Sequence, residues 1–146
     1  MTLPDTLNPA DLHVGDALPD WEIDINATRI VAGAIATRDF MPVHHDKAYA
    51  NSQGAPDIFM NILSDTAYTS RYLTDWAGPN AMVCKVAIRL GVPVFPGHTL
   101  TYTGEITAIH VQRDDTKVEV ALRAVNELGE HVGGTATISL PNGRML

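Results

Sequence analysis

Cysteine is almost missing from this chain: Cys84 is the only one. One thiol cannot close an internal disulfide, and a cysteine-based zinc site is excluded with it. A reducing cytoplasm is the simplest setting. Positive charge is also scarce. Ten Lys and Arg stand against 17 Asp and Glu, leaving a formal charge of −7 with no basic cluster. Nucleic-acid binding usually needs a basic stripe, so a nucleic-acid partner is not expected. An anionic ligand has to enter against the mean field and needs local positive charge or backbone amides at its site. Arg38, Arg71, Lys85 and Arg89 are the cations nearest the segments of interest. No stretch approaches the ~20 consecutive apolar residues that span a bilayer. The start, Met1-Thr2-Leu3-Pro4-Asp5, has neither a basic lead nor an apolar core, so secretion is not expected.

What remains is a chain of 146 residues with ordinary apolar content. Its length fits one domain, 1–146, able to bury about two-thirds of its unfolded surface. No internal repeat, linker or low-complexity tract divides it.

The first twenty residues are rich in Pro, Asp and small polar groups and read as an irregular lead-in. Trp21 to Ile25 reads as a short first strand. Arg29 to Ala36 carries a helical stripe of Ile30, Val31, Ala34 and Ile35, with Thr28 as its N-cap. The β-branched content leaves a strand open as the alternative. Either element delivers Asp39 to its end. His45 to Ala50 has the length of one helical turn, and residues 51–56 carry loop residues.

Phe59 to Ala77 is the strongest helix. Phe59, Ile62, Leu63, Ala67, Ser70, Leu73, Trp76 and Ala77 recur at three- and four-residue steps, and Gly78-Pro79 stops the run. Its small waist, Ala67 and Ser70, lets it lie close against a curved sheet. Four alternating runs follow, around Met82–Leu90, Leu100–Ile106, Lys117–Ala124 and Val132–Leu140, with turns at 112–115 and 126–130. Period-two alternation gives each strand one core face and one wetter face. The predicted class is α+β, one antiparallel sheet wrapped around one long helix. The outer face of such a sheet needs cover, which predicts an oligomer.

Asp39-Phe40-Met41-Pro42-Val43-His44 is the segment with chemistry in it. Pro42 lacks an amide hydrogen and restricts Met41, so a continuing helix is not expected there. A carboxylate and an imidazole on such a turn can share one water molecule. Imidazole titrates nearest neutral pH, which makes His44 the better base. His45 points away from its neighbour in an extended segment and reads as structural. Adjacent histidines seldom converge on one ion and no HExxH-like spacing occurs, so no metal site is expected.

Two stretches resemble motifs of the MaoC-like (R-specific) enoyl-CoA hydratases of the hot-dog fold. Asp39–Asp46 is similar to the pattern Gly-Asp-x-Asn-Pro-Ile-His-x-Asp, and Arg89–Leu100 to Pro-Val-x-Pro-Gly-Asp-Thr-Leu. Val14-Gly15-Asp16-Ala17-Leu18-Pro19 adds a weaker match. Segments 36–40, 43–46, 57–59, 61–63 and 74–79 further resemble the small subunit of actinobacterial steroid side-chain hydratases. The chain departs from the pattern at Arg38 for Gly, Met41 for Asn and His98 for Asp.

The resemblance implies a hydratase that adds water to a bulky or steroid-type 2-enoyl-CoA in a β-oxidation-like pathway. The implied catalytic residues are Asp39 and His44. It implies no cofactor. It implies an acyl-CoA substrate and either a homodimer or a heteromer with a second MaoC-like subunit. The substrate-binding candidates are Arg38, Arg89, Asn61 and Met60, whose amide matches the family's donor to the thioester oxygen. Amides at a helix start can stabilise such an oxygen without a charged side chain. Two other readings stay open. Some hot-dog thioesterases place a carboxylate on the central helix, where Asp65 lies; its plainer role is a solvated or capping charge. Alternatively the chain is a passive subunit that only lines an acyl tunnel.

Overall fold

The computed structural model describes residues 5–143. Residues 1–4, where the absence of a leader was read, lie outside them, as do 144–146. Strand β1 (Ala17–Asp24) leads to helix α1 (Ala27–Ala36), a 3-10 turn (Pro42–His44) and short helix α2 (Lys47–Ser52). Helix α3 (Ile62–Ala77) follows, then β2 (Met82–Leu90), β3 (Thr99–Val111), β4 (Asp115–Asn126) and β5 (Gly129–Pro141). The strands make one antiparallel sheet in the order β1-β3-β4-β5-β2.

Alternation sets the two faces. Tyr102, Ile106, Val118, Val120, Ala124, Val132, Ile138 and Leu140 are buried on the face that receives α3. Tyr72 and Leu73 of α3 meet them, and Trp21, Tyr68, Tyr72 and Tyr102 form an aromatic cluster, with Tyr72 and Tyr102 centroids 5.5 Å apart. This is the sheet around one helix that the alternation predicted, and the hot-dog fold that the resemblance implies. The opposite face carries Lys117, Glu119, Arg123, Thr135, Thr137 and Ser139. That face is polar and already suited to water. Among the exposed apolar side chains, Phe40, Met41, Ile62 and Leu63 flank the turn and the start of α3, Met82 is on edge strand β2, and Val14, Ile35, Val111 and Leu128 are exposed elsewhere.

Several boundaries differ from the sequence reading. The first strand begins at Ala17, not Trp21, because β1 is an edge strand and tolerates Pro19 beside the irregularity between Leu18 and Trp21. The α1 cap is Asn26, whose side chain accepts from the Arg29 amide, and Thr28 is already helical. Helix α3 begins at Ile62 rather than Phe59, capped by Asn61. Residues 59–61 are extended instead, drawn across by the Met60 amide bond to the Val94 carbonyl at 3.1 Å. Gly33 lets α1 approach α3: a β-carbon there would collide with the Ser64 hydroxyl.

Candidate active site

The end of α1 places the carboxylate. Thr37 closes the helix, Arg38 turns into the left-handed region at φ 59, and the Asp39 amide folds back to the Ala34 carbonyl at 2.9 Å. A left-handed residue at this position favours glycine, because a β-carbon crowds the following carbonyl. The hydratase pattern has Gly here, and this chain has Arg. Pro42 then opens the 3-10 turn, where its missing amide costs nothing, and that turn carries His44 inward.

His44 is buried, at 7% exposure. Its Nδ1 lies 2.7 Å from the Phe59 carbonyl, which can only accept, so Nδ1 carries the proton. Nε2 lies 3.4 Å from Asp39 Oδ2, and with the ring protonated at Nδ1 alone it keeps a free lone pair. The Phe59 ring packs edge-on against the imidazole at 5.1 Å. Asp39 is half-buried, and the Asn61 side-chain amide donates to its Oδ2 at 3.0 Å. That bond holds the Asp39 carboxyl below the usual range; burial opposes it, while the Met41 amide and, whenever the ring is protonated, His44 reinforce it. A lone pair therefore faces an ionised oxygen, and a water donating one hydrogen to each would bridge them.

Asn61 joins everything nearby. Its Nδ2 also donates to Thr37 Oγ1 at 2.9 Å, and its Oδ1 accepts from the Ser64 amide and hydroxyl. At 2% exposure its polar atoms are spent on the protein. It was singled out as a substrate contact, but it is the residue that holds Asp39. Met60 is displaced from its assignment too, since its amide is bonded to Val94 and its side chain is buried. The amides that α3 leaves without helical partners are those of Ile62 and Leu63. Arg38 is exposed next to Asp39. Arg89 pairs with Gly133, in a row with Arg123 and Thr103 on the face of the sheet turned away from α3, so the fold does not bring it to Asp39 and His44.

Asp65 is neither solvated nor a cap. It is fully buried, and its Oδ1 meets His131 Nε2 at 2.9 Å. No acyl group reaches it, so the thioesterase reading loses its carboxylate. His131 Nδ1 faces the Val92 carbonyl. Burial pulls the His131 pKa down, but the Asp65 hydrogen bond and charge and the Val92 carbonyl together raise it above the ordinary value. Nothing in the sequence links Asp65 to a residue 66 positions away. His98, in place of the family's Asp, accepts from the Phe95 amide at 3.3 Å, doing through Nδ1 what a carboxylate does in such a turn. His45 is exposed, and among the described residues no cluster of three or more His, Cys, Asp or Glu could hold a metal. An apolar cleft of about 350 Å³ opens beside the site between α1 and α3, over Ala32, Gly33, Ala36 and Ala67. Thr37 and Ser64, which both bond Asn61, line it.

The MaoC-like domain model matches residues 15–127. The 3-oxo-4,17-pregnadiene-20-carboxyl-CoA hydratase beta subunit of Mycobacterium tuberculosis is 45% identical over 127 residues, covering 87% of this chain and 95% of that protein. A chain in the crystal structure of the ChsH1-ChsH2 complex from Mycobacterium tuberculosis superposes with a TM-score of 0.81 at 44% identity, covering 88% of this chain and 98% of that one. The unliganded R-hydratase PhaJ1 from Pseudomonas aeruginosa is 25% identical with a TM-score of 0.80, covering 94% of this chain and 88% of that one.

Proposed function

The chain belongs to the MaoC-like domain family, and from that premise we propose that it is an enoyl-CoA hydratase whose water is activated by Asp39 and His44. The observation that carries this reading is the 3.4 Å approach of His44 Nε2 to Asp39 Oδ2, with Nδ1 already committed to Phe59. A water held between them points a lone pair outward. Its oxygen bonds to the β-carbon of the enoyl thioester while His44 takes its proton. That proton returns to the α-carbon, from His44 directly or by way of Asp39, so one water is consumed and no redox change occurs. Negative charge passes to the thioester oxygen as the β-carbon is attacked. The Ile62 and Leu63 amides, at the positive end of α3, are the donors available to it.

The substrate we infer is a bulky, steroid-type acyl-CoA, in keeping with the name of the M. tuberculosis relative. The partner is a second MaoC-like subunit. Phe40, Met41, Ile62 and Leu63, exposed beside the catalytic turn, are the surface such a subunit covers to complete the acyl tunnel. No described helix is long and apolar enough to cross a membrane. Cys84 is a free, exposed thiol, which suits the reducing cytoplasm we assign as its setting.

In a complex with its partner, Asp39→Asn and His44→Ala should each lower turnover about 100-fold or more while binding of a saturated CoA ester persists. Folded variants with near-normal rates would remove both residues from the chemistry.

A further inference from the structure

Asp65 and His131 are ionisable, fully buried and unused by the chemistry above. Acceptors flank both nitrogens of the imidazole: the Val92 carbonyl at Nδ1 and Asp65 Oδ1 at Nε2. With a hydrogen bond to an acceptor at each nitrogen, the ring holds both protons and the two groups form a buried ion pair. Such pairs are poor stabilisers, and apolar side chains of similar volume often hold a fold as well or better. This one is not arranged for stability either. Asp65 Oδ2 and its neighbour Thr69 Oγ1 have no hydrogen-bond partner among the described residues.

The bonds that leave the pair run to the catalytic groups. The Asp65 amide donates to the Asn61 carbonyl at 3.2 Å, and Asn61 in turn holds Asp39. On the other side His131 holds the Val92 carbonyl, and two residues on the Val94 carbonyl accepts from the Met60 amide. Segment 59–61 therefore sits inside a closed ring of contacts: Met60, Val94, Val92, His131, Asp65, Asn61. Both catalytic side chains hang from that segment, His44 from the Phe59 carbonyl and Asp39 from the Asn61 amide. Breaking the ring of contacts at its buried link removes the side-chain bridge between α3 and residues 92–94 and leaves backbone bonds alone to hold segment 59–61.

We propose that Asp65 and His131 are a positioning pair: they tie the first turn of α3 to the 92–94 segment and so fix the separation of Asp39 and His44. The proposal rests on the hydratase reading for its effect on rate, but its geometric part does not.

The test compares the complex of wild-type chain and partner with the same complex carrying Asp65→Leu/His131→Phe, and carrying the milder Asp65→Asn. Two quantities are read: kcat and KM on an enoyl-CoA ester, and the titration midpoint of the His44 ring by NMR with histidine labelled in this chain alone. The folded double variant should lose about 10-fold or more in kcat with KM within about twofold, because small misplacements of reacting groups are costly. Its His44 midpoint should move, since the carboxylate beside the ring has shifted. An unchanged kcat with an unmoved midpoint overturns the proposal. So does a lost kcat with an unmoved midpoint, which would place the effect elsewhere. If the double variant does not fold, Asp65→Asn is read by the same criteria. The His44 titration needs no turnover, so a wild-type complex inactive on every ester would defeat the hydratase reading while the midpoint still decides the positioning claim.

Discussion

At the scale of single residues, Arg38 holds a conformation that costs stability, and His131 holds a charge whose contribution depends on pH. Arg38 has a positive φ where glycine would be relaxed. Arg38→Gly should raise the unfolding free energy by about 1 kcal/mol in denaturant titration. Backbone strain of this kind collects at functional sites. The retained guanidinium beside Asp39 is one of few cations in a chain of charge −7, so the same variant should raise KM for a CoA ester several-fold without lowering kcat. An unchanged KM would leave Arg38 without a ligand role. For His131 the sign is set by its raised pKa. The stability it contributes is full below the ordinary 6.5 and is lost as pH climbs through the higher folded value. Unfolding free energy should therefore fall as pH rises from 6.5 through the higher folded value, and Asp65→Asn should flatten that slope. A parallel slope in the variant would contradict the charged pair.

At the scale of elements, one residue does two jobs at the start of α3. Asn61 caps the helix through Oδ1 and holds Asp39 through Nδ2. Asn61→Ala should lose about 1 kcal/mol of stability from the cap alone. Asn61→Asp separates the functions: an acceptor remains for the Ser64 amide, while a donor becomes a second carboxylate beside Asp39. Its stability should stay closer to wild type, and the acid limb of its pH–rate profile should move to higher pH, because the bond that lowers the Asp39 pKa is gone. An acid limb left in place would show that Asp39 is not tuned by Asn61. How far the elements were legible follows from the range of the contacts. Strand β2 and the turn at 112–115 matched because alternation and turn residues are local signals. The proline-broken turn carrying His44 was legible for the same reason. The start of α3 was not, since Phe59 continues the apolar period but its neighbour's amide is claimed by Val94, 34 residues away. The roles of Asn61 and of the Asp65–His131 pair were hidden likewise, because each depends on contacts across the chain.

At the scale of the molecule, the fold supplies a sheet, a helix laid on it, and a turn whose Asp39 and His44 side chains are fastened to the segment just ahead of that helix. Phe40, Met41, Ile62 and Leu63 are exposed side by side next to the Asp39–His44 turn. Placing charge among them should therefore separate assembly from folding. Leu63→Lys should leave the Tm of the chain within a few degrees and weaken association with the partner subunit about 10-fold or more, read by analytical ultracentrifugation. Undiminished association would move the interface away from the Asp39–His44 turn. The central claim, that Asp39 and His44 add water across an enoyl thioester, is tested most directly by running the complex in ¹⁸O-labelled heavy water and analysing the product by mass spectrometry and NMR. The expected product is an intact CoA thioester with one ¹⁸O on the β-carbon and one deuterium on the α-carbon, absent in His44→Ala. Free coenzyme A with ¹⁸O in a released carboxylate, or label appearing equally in the His44→Ala complex, would contradict it.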